Sequence, residues 1–192
     1  MRIISGSKKS ISIRAPKDLP SRPTTDKVKE SLFNILINRF KIDEIRVLDL
    51  FAGTGNISYE FSSRGVKKII SVDNNLKCTK FIKETSLKHG FDIITKRNDY
   101  IDFLIKTDQI FDIIFADPPY LFSEDQYFEL LSIIKQKNLL SDNGEIIIEH
   151  SSNISLVEKN NNIEERKYGS SILSFIKKAS LYAGFCLVLS FI

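Results

Sequence analysis

The sequence predicts an α/β fold, with a mostly parallel seven-stranded sheet, helices on both faces and a closing antiparallel hairpin, preceded by a short basic β-ribbon and a helix. Three observations predict it. Strand-like apolar runs at 47–50, 67–72, 91–96 and 111–116 alternate with segments of helical period, and alternating β and α units specify a parallel sheet. Strands end abruptly at acids or breakers, most plainly at Asp117-Pro118-Pro119-Tyr120. Two further strands, 163–168 and 171–177, meet at Tyr168-Gly169-Ser170, a turn that suggests an antiparallel hairpin.

The elements can be justified in chain order. Residues 1–41 hold ten Lys or Arg against three acids, a local charge of +7 in a chain of net charge +4, so the remainder carries −3. Within this arm Arg2, Lys8, Lys9, Arg14, Lys17 and Arg22 alternate with Ile3, Ile4, Ile11 and Ile13, as in a two-stranded ribbon that could lie along a phosphate backbone. A solvated edge whose lysines discourage aggregation is the competing reading. Thr24 or Thr25 is an N-cap for an amphipathic helix over 27–40, with apolar residues at Val28, Leu32, Phe33, Ile35, Leu36 and Phe40. That helix should pack the arm on the main domain and bring Arg22 and Thr24 near the mouth of the site.

Val47 to Leu50 reads as a buried parallel strand. Phe51-Ala52-Gly53-Thr54-Gly55 is a tight loop open to a ligand, before a helix over 56–64. The position three after Gly55 is Ser58, so the third glycine of a dinucleotide fingerprint is missing. Asp49, an acid at the strand end, suits an amino group. The next strand ends in Asp73, 20 residues after Gly53, where a carboxylate can take both hydroxyls of a ribose. A helix over 75–89, a strand over 91–96, a short helix over 99–106, the strand at 111–116, a helix over 124–138 and a strand over 145–149 complete the order. Asp112, far from the carboxyl end of its strand, reads as a solvated edge residue.

Two prolines can neither continue a strand nor enter a helix interior, so Asp117 and Tyr120 are presented at the strand's carboxyl end, the ligand-binding edge of open α/β sheets. The chemistry that fits is methylation of an exocyclic nucleobase amine. Such an amine is a poor nucleophile because its lone pair is delocalised into the ring. The Asp117 carboxylate and the Pro118 carbonyl can both accept hydrogen bonds from it and localise that pair, while Pro119 stiffens the turn and Tyr120 stacks on the base. An ordinary β-turn is the bland alternative for the tetrapeptide alone.

In this order the Asp-Leu-Phe-Ala-Gly-Thr-Gly loop from Asp49, the ribose acid and Asp-Pro-Pro-Tyr resemble S-adenosylmethionine-dependent amino-group methyltransferases, of Rossmann-like class I fold. Met1-Arg2-Ile3-Ile4-Ser5-Gly6 and the block from Arg22-Pro23-Thr24-Thr25 to Asn34 narrow the resemblance to the bacterial small-subunit (16S) ribosomal RNA guanine-N2 methyltransferases of RsmD type, over about residues 1–178. The resemblance implies that Asp49, Phe51, Gly53, Gly55 and Asn56 line the methionine end of S-adenosylmethionine, and that Asp73 and Asn74 hold its ribose. Asp99 would face its adenine, and Asp117 to Tyr120 would hold the target guanine. Asp99 and Asn74 read equally well as helix N-caps. Ribosomal RNA, naked or in an assembling small subunit, is the implied partner, with Arg2, Lys8, Lys9, Arg14, Arg22 and Thr24 as RNA contacts. Where the family usually has glycine and further basic residues, this chain has Ser10 and Ser12.

Other classes fit less well. A DNA amino-methyltransferase generally needs an added target-recognition region. An NAD-dependent oxidoreductase would want the third glycine and a catalytic His or Tyr-Lys pair, and a protein glutamine methyltransferase would carry Asn at 117. Cys78 and Cys186 are far apart and lack metal-ligand spacing, so neither a disulfide framework nor a zinc site is expected. His89 and His150 fit surface or strand-end roles. At 192 residues, 42% hydrophobic and 27% charged, the chain suits one cytoplasmic enzyme domain at 23–178 behind an arm at 1–22; a monomer is favoured and no metal is expected. The apolar tail at 179–192 is too short for a bilayer span, so no membrane anchor is expected.

Overall fold

The computed structural model describes residues 1–19, 25–156 and 163–184. The chain divides into two units, Met1–Tyr100 and Ile101–Ile192. In the first, α1 (Asp26–Arg39) is followed by β1 (Arg46–Leu50), α2 (Asn56–Ser63), β2 (Lys68–Asp73), α3 (Leu76–His89) and β3 (Ile94–Arg97), and α4 (Tyr100–Lys106) begins at its last residue. The second continues through β4 (Phe111–Ala116), α5 (Glu124–Gln136), β5 (Leu140–Ser151), β6 (Glu164–Tyr168), β7 (Ser171–Lys177) and α6 (Lys178–Gly184). The strands form one seven-stranded sheet of order β3-β2-β1-β4-β5-β7-β6, mostly parallel with a terminal antiparallel hairpin, as the sequence predicts.

In the first unit the register Val47↔Ile69, Leu48↔Ile70 and Leu50↔Val72 runs in parallel, and these side chains are buried. Buried on both faces, such strands read as continuous apolar runs. Thr25 caps α1, its hydroxyl accepting from Val28 N at 3.4 Å. The stripe of Val28, Leu32, Phe33 and Leu36 is buried as expected, but Lys29 is buried with it.

The arm forms the expected ribbon in reduced form. Ile3 N donates to Ile11 O at 3.0 Å and Ile13 N to Met1 O at 2.9 Å, around a single bridge, Arg2↔Ser12. Ile3 and Ile13 are buried against Tyr59, Ile82 and Phe91, whereas Arg2, Lys9, Arg14 and Lys17 are exposed. The arm's return turn is seated on α2. Ile4 N and Ser5 N donate to the two oxygens of Glu60 at 2.8 and 3.0 Å, and Ser7 N donates to Ser63 O at 2.7 Å. Gly6 sits at φ +87°, and a Cβ there would lie 1.9 Å from Ser63 O, so only glycine lets the turn approach so closely.

Several boundaries differ from expectation. β3 starts at Ile94 because Phe91 is packed on Tyr59 and Asp92 N donates to Ser62 Oγ at 2.9 Å, which commits those residues to α2. β5 starts at Leu140, which pairs with Phe111; residues 141–144 then leave the ladder and rejoin it at Glu145↔Ile113. Asp112 is half-buried on a strand flanked on both sides, so it is no edge residue. His150 lies near the end of β5 yet is buried, with Nε2 2.7 Å from Ser174 Oγ and Nδ1 2.9 Å from Ser151 O. Burial holds its pKa below the usual imidazole range. Arg22, Thr24 and Cys186 lie outside the described residues.

Candidate active site

In the first unit, the sequence-predicted residues gather at the carboxyl ends of β1, β2 and β3. β1 ends at Leu50, and the chain turns through Phe51, Gly53 and Gly55, all at positive φ (59°, 54° and 78°). A non-glycine residue in that region is uncommon and strained, and such strain collects at ligand loops. Phe51 is steadied by the Tyr100 ring, whose centroid lies 4.9 Å away.

Asp73 holds this loop from the next strand. Its Oδ2 accepts from Gly53 N at 2.8 Å and its Oδ1 from Asn75 N at 2.8 Å. A carboxylate offers about four lone-pair positions, so these two bonds fix its orientation and leave capacity for two more donors. Asn98 N donates to Asp73 O at 3.2 Å, which brings the segment carrying Asp99 beside it. Asp99 and Asn74 are exposed. The N-cap of α3 is Asn75, whose Oδ1 accepts from Lys77 N and Cys78 N, so Asn74 has no capping duty.

Asp49 is fully buried. Ser58 Oγ donates to its Oδ2 at 2.6 Å, and the Ser71 hydroxyl bonds Ser58 in turn. Burial pushes the Asp49 carboxyl up to about 7, against the lowering effect of Ser58 and with the Asp73 charge adding to the rise. A buried carboxylate poised this way is stabilised by a cationic ligand group. The two loop residues read as ligand contacts have structural duties as well. A Cβ at Gly55 would lie 2.9 Å from Ile82 Cγ1 and Tyr59 Cζ, so packing alone requires glycine there. Asn56 Oδ1 accepts from Lys29 Nζ at 2.9 Å.

That lysine is not legible in the sequence as a site residue. Lys29 Nζ also donates to Arg2 O at 2.5 Å and lies 3.4 Å from Glu60 Oε2, which ties the arm to the helix behind the loop. Glu60 Oε1 accepts from Arg64 Nε at 2.9 Å. Burial lowers the Lys29 pKa, and Glu60 partly restores it. The one available signal is position: Lys29 falls on the same helical stripe as Phe33 and Leu36.

In the second unit, β4 ends at Ala116 and Asp117-Pro118-Pro119-Tyr120 follow. Asp117 is half-buried, Pro118 buried and Tyr120 78% exposed. Phe122 N donates to Pro119 O at 2.9 Å, and the Phe122 ring packs edge-on to Tyr127 at 4.9 Å. Ser123 and Gln126 form a capping box that starts α5. Burial, with the Asp117 charge adding to it, pushes the Tyr127 hydroxyl up to about 12. Among the described residues no group of acidic, His or Cys side chains could hold a metal ion, and none of their helices is long and apolar enough to cross a membrane.

A glycine loop after the first strand, an acid closing the second and a strand ending in Asp-Pro-Pro-Tyr, on a sheet with this hairpin, define a class I methyltransferase fold. The family model described as conserved hypothetical protein 95 matches residues 1–177, and the chain belongs to that family, the RsmD type. The YlbH protein of Bacillus subtilis is 37% identical over 186 residues, covering 93% of this chain and 99% of its own. The ribosomal RNA small subunit methyltransferase D of Escherichia coli K12 is 30% identical over 151 residues, covering 78% and 74%. The solved structure of Escherichia coli yhhF superposes with a TM-score of 0.76 at 25% identity, covering 91% of this chain and 96% of that one.

Proposed function

We propose that the protein transfers a methyl group from S-adenosylmethionine to the exocyclic N2 amine of a guanine in small-subunit ribosomal RNA. The observation that carries the reading is the rigid turn after β4, which pairs a carboxylate at Asp117 with a largely exposed aromatic face at Tyr120. The names of the relatives support ribosomal RNA as substrate. Guanine N2 rests on the family resemblance.

The residues fit the donor. Asp49 is a buried acid in need of a cation, which the amino group of the methionine moiety provides. Asp73 retains lone pairs for ribose hydroxyls. Phe51, Gly53, Gly55 and Asn56 form the loop beneath, with Asn74 and Asp99 at the rim. When bound, S-adenosylmethionine supplies an electrophilic methyl group on a sulfonium centre. The chain's part is to prepare the acceptor. The Asp117 carboxylate and Pro118 carbonyl accept hydrogen bonds from the amine and localise its lone pair, while Tyr120 stacks on the extruded base and fixes its angle. The arm, through Arg2, Lys8, Lys9, Arg14, Arg22 and Thr24, contacts the phosphate backbone. No acid-base histidine is required: departure as a neutral thioether needs no proton, and the proton shed by the methylated amine passes to the Asp117 carboxylate and on to water.

The test is mass mapping of methylated nucleosides in small-subunit ribosomal RNA from cells with and without the gene, followed by incubation of the unmodified RNA or subunits with purified protein. One N2-methylguanosine should disappear with the gene and return with the wild-type protein. Loss of a different methylated base would overturn the guanine assignment, and no change in ribosomal RNA would overturn the substrate.

A further inference from the structure

Leu121 is 96% exposed, the most exposed of the large hydrophobic side chains among the described residues. It directly follows Tyr120, and the two form the tip of a turn pinned on both sides. Before the tip, Pro118 is buried and two consecutive prolines restrict the backbone. After it, Phe122 is buried against Tyr127, its N–H closes the turn on Pro119 O, and the Ser123 capping box fixes the entry to α5. The tip therefore holds an aromatic face and a branched aliphatic side chain side by side in water. A lone exposed leucine is ordinary. This one is adjacent in sequence to the ring proposed to receive the base, on a turn whose anchors leave it little room to fold away.

A base that leaves its stack opens a gap between two apolar base faces, and proteins that unstack nucleic acid commonly fill such gaps with Leu, Ile, Met or Phe. We propose that Leu121 is the wedge for the extruded base: it inserts where the target guanine was stacked while Tyr120 holds the base itself. The inference rests on the proposed function and adds a positioning residue to it. Leu121 touches the neighbours of the target and not the reacting nitrogen, so its contribution scales with how firmly the guanine is stacked beforehand.

The experiment uses the whole protein, wild type, Leu121→Ala and Leu121→Met, on two ribosomal RNA fragments carrying the mapped guanine. One keeps the guanine stacked in a short duplex; in the other it lies in a flexible single strand between abasic neighbours, already unstacked. Replacing the guanine by 2-aminopurine in the stacked fragment reports extrusion as a rise in fluorescence. The Leu121→Ala protein should lose roughly tenfold or more in kcat/KM on the stacked fragment and about twofold or less on the unstacked one, with a weaker fluorescence rise. Leu121→Met should retain most of the activity, and thermal unfolding of all three should coincide because the side chain is in water. Equal activity of Leu121→Ala and wild type on the stacked fragment would overturn the wedge. So would an equal loss on both fragments, which would mark the residue as a general RNA or protein contact. If wild type methylates small subunits but neither bare fragment, the same comparison is read on subunits reconstituted with the two RNAs; methylation of none of them would overturn the proposed function, and the wedge with it.

Discussion

The Lys29 ammonium and the Glu60 carboxylate lie 3.4 Å apart with neither side chain exposed to solvent. Between them they hold the backbone of the arm: Lys29 takes Arg2 O, and Glu60 takes Ile4 N and Ser5 N. Breaking such a pair strands a buried charge, at a cost of about 3 to 5 kcal/mol. Lys29→Met leaves Glu60 paired with Arg64 and should lower the melting temperature by roughly 6 °C or more, since each kcal/mol moves a domain of this size by about 2 to 4 °C. Glu60→Gln keeps one acceptor oxygen for the arm but removes the countercharge of Lys29 and Arg64, and should cost a comparable amount. Thermal or denaturant unfolding of the two variants checks both; a shift below about 1 kcal/mol in each would mean the network is not a structural support.

Asp49 should trade stability for cofactor binding. Its folded pKa of about 7 lies above the unfolded value of 3.8, so between those pH values the folded state holds the proton that the unfolded state has released. Stability from this group is thus full below about pH 4 and lost as pH rises through 7, by up to about 4 kcal/mol. Asp49→Asn removes the titration and retains an acceptor for Ser58. Measured without cofactor, the stability difference between variant and wild type should grow from pH 4 to pH 8, with the variant the more stable. His150 contributes with the opposite sign, losing stability as pH falls, and cancels in that difference because both proteins carry it. Calorimetric titration with S-adenosylmethionine at pH 8 should show the variant binding roughly tenfold or more weaker. Unchanged affinity would remove Asp49 from the cofactor site.

The arm predicts a salt dependence. Arg2 is already 3.4 Å from Asp26, and the Lys8 ammonium lies where a Cβ on Gly90, the C-cap of α3, would be 3.4 Å away. Lys9 and Arg14 are exposed. Reversing Lys8, Lys9 and Arg14 to Glu should weaken RNA binding and reduce the slope of log K against log salt by roughly 0.7 to 0.9 for each phosphate that is no longer neutralised. The largest single share should come from Lys9 or Arg14. An unchanged slope would take the arm out of the footprint.

What is legible in the sequence follows from how each feature is encoded. The strands β1, β2 and β4 are largely buried on both faces and so appear as apolar runs, interrupted at Asp49, Ser71 and Asp112. The loop after Leu50 and the turn after Ala116 are written in glycine and proline, residues whose backbone restrictions act locally. Asp73 can be read because it closes a strand at a fixed distance from the loop it holds. Lys29 and Glu60 cannot, because a helical lysine ordinarily means solvent and its partner is 31 positions away. Leu140 reads as loop for a related reason: the strand leaves its ladder through Ser141 to Gly144 and returns, so its first pairing is separated from the rest. Gly55 reads as a ligand glycine, although the side chains of Tyr59 and Ile82 would exclude any larger residue.

Asp117→Ala separates acceptor chemistry from donor binding. The side chain sits after β4 in the Ile101–Ile192 unit, whereas Asp49, Asp73 and the glycine loop belong to Met1–Tyr100. Removing the carboxylate deletes one of the two hydrogen-bond acceptors proposed for the amine and leaves the Pro118 carbonyl and the Tyr120 ring in place. Methyl transfer should fall by roughly a hundredfold or more in kcat, the scale on which a lost positioned hydrogen bond to a reacting group is felt. Affinity for S-adenosylmethionine should stay within about twofold, and the Tyr127 hydroxyl should titrate lower, because the Asp117 charge helps hold it near 12. Asp117→Asn keeps an acceptor oxygen in the same turn and should recover part of the rate. Full transfer by Asp117→Ala would refute the role of the carboxylate; loss of cofactor affinity in step with activity would move Asp117 from the acceptor to the donor.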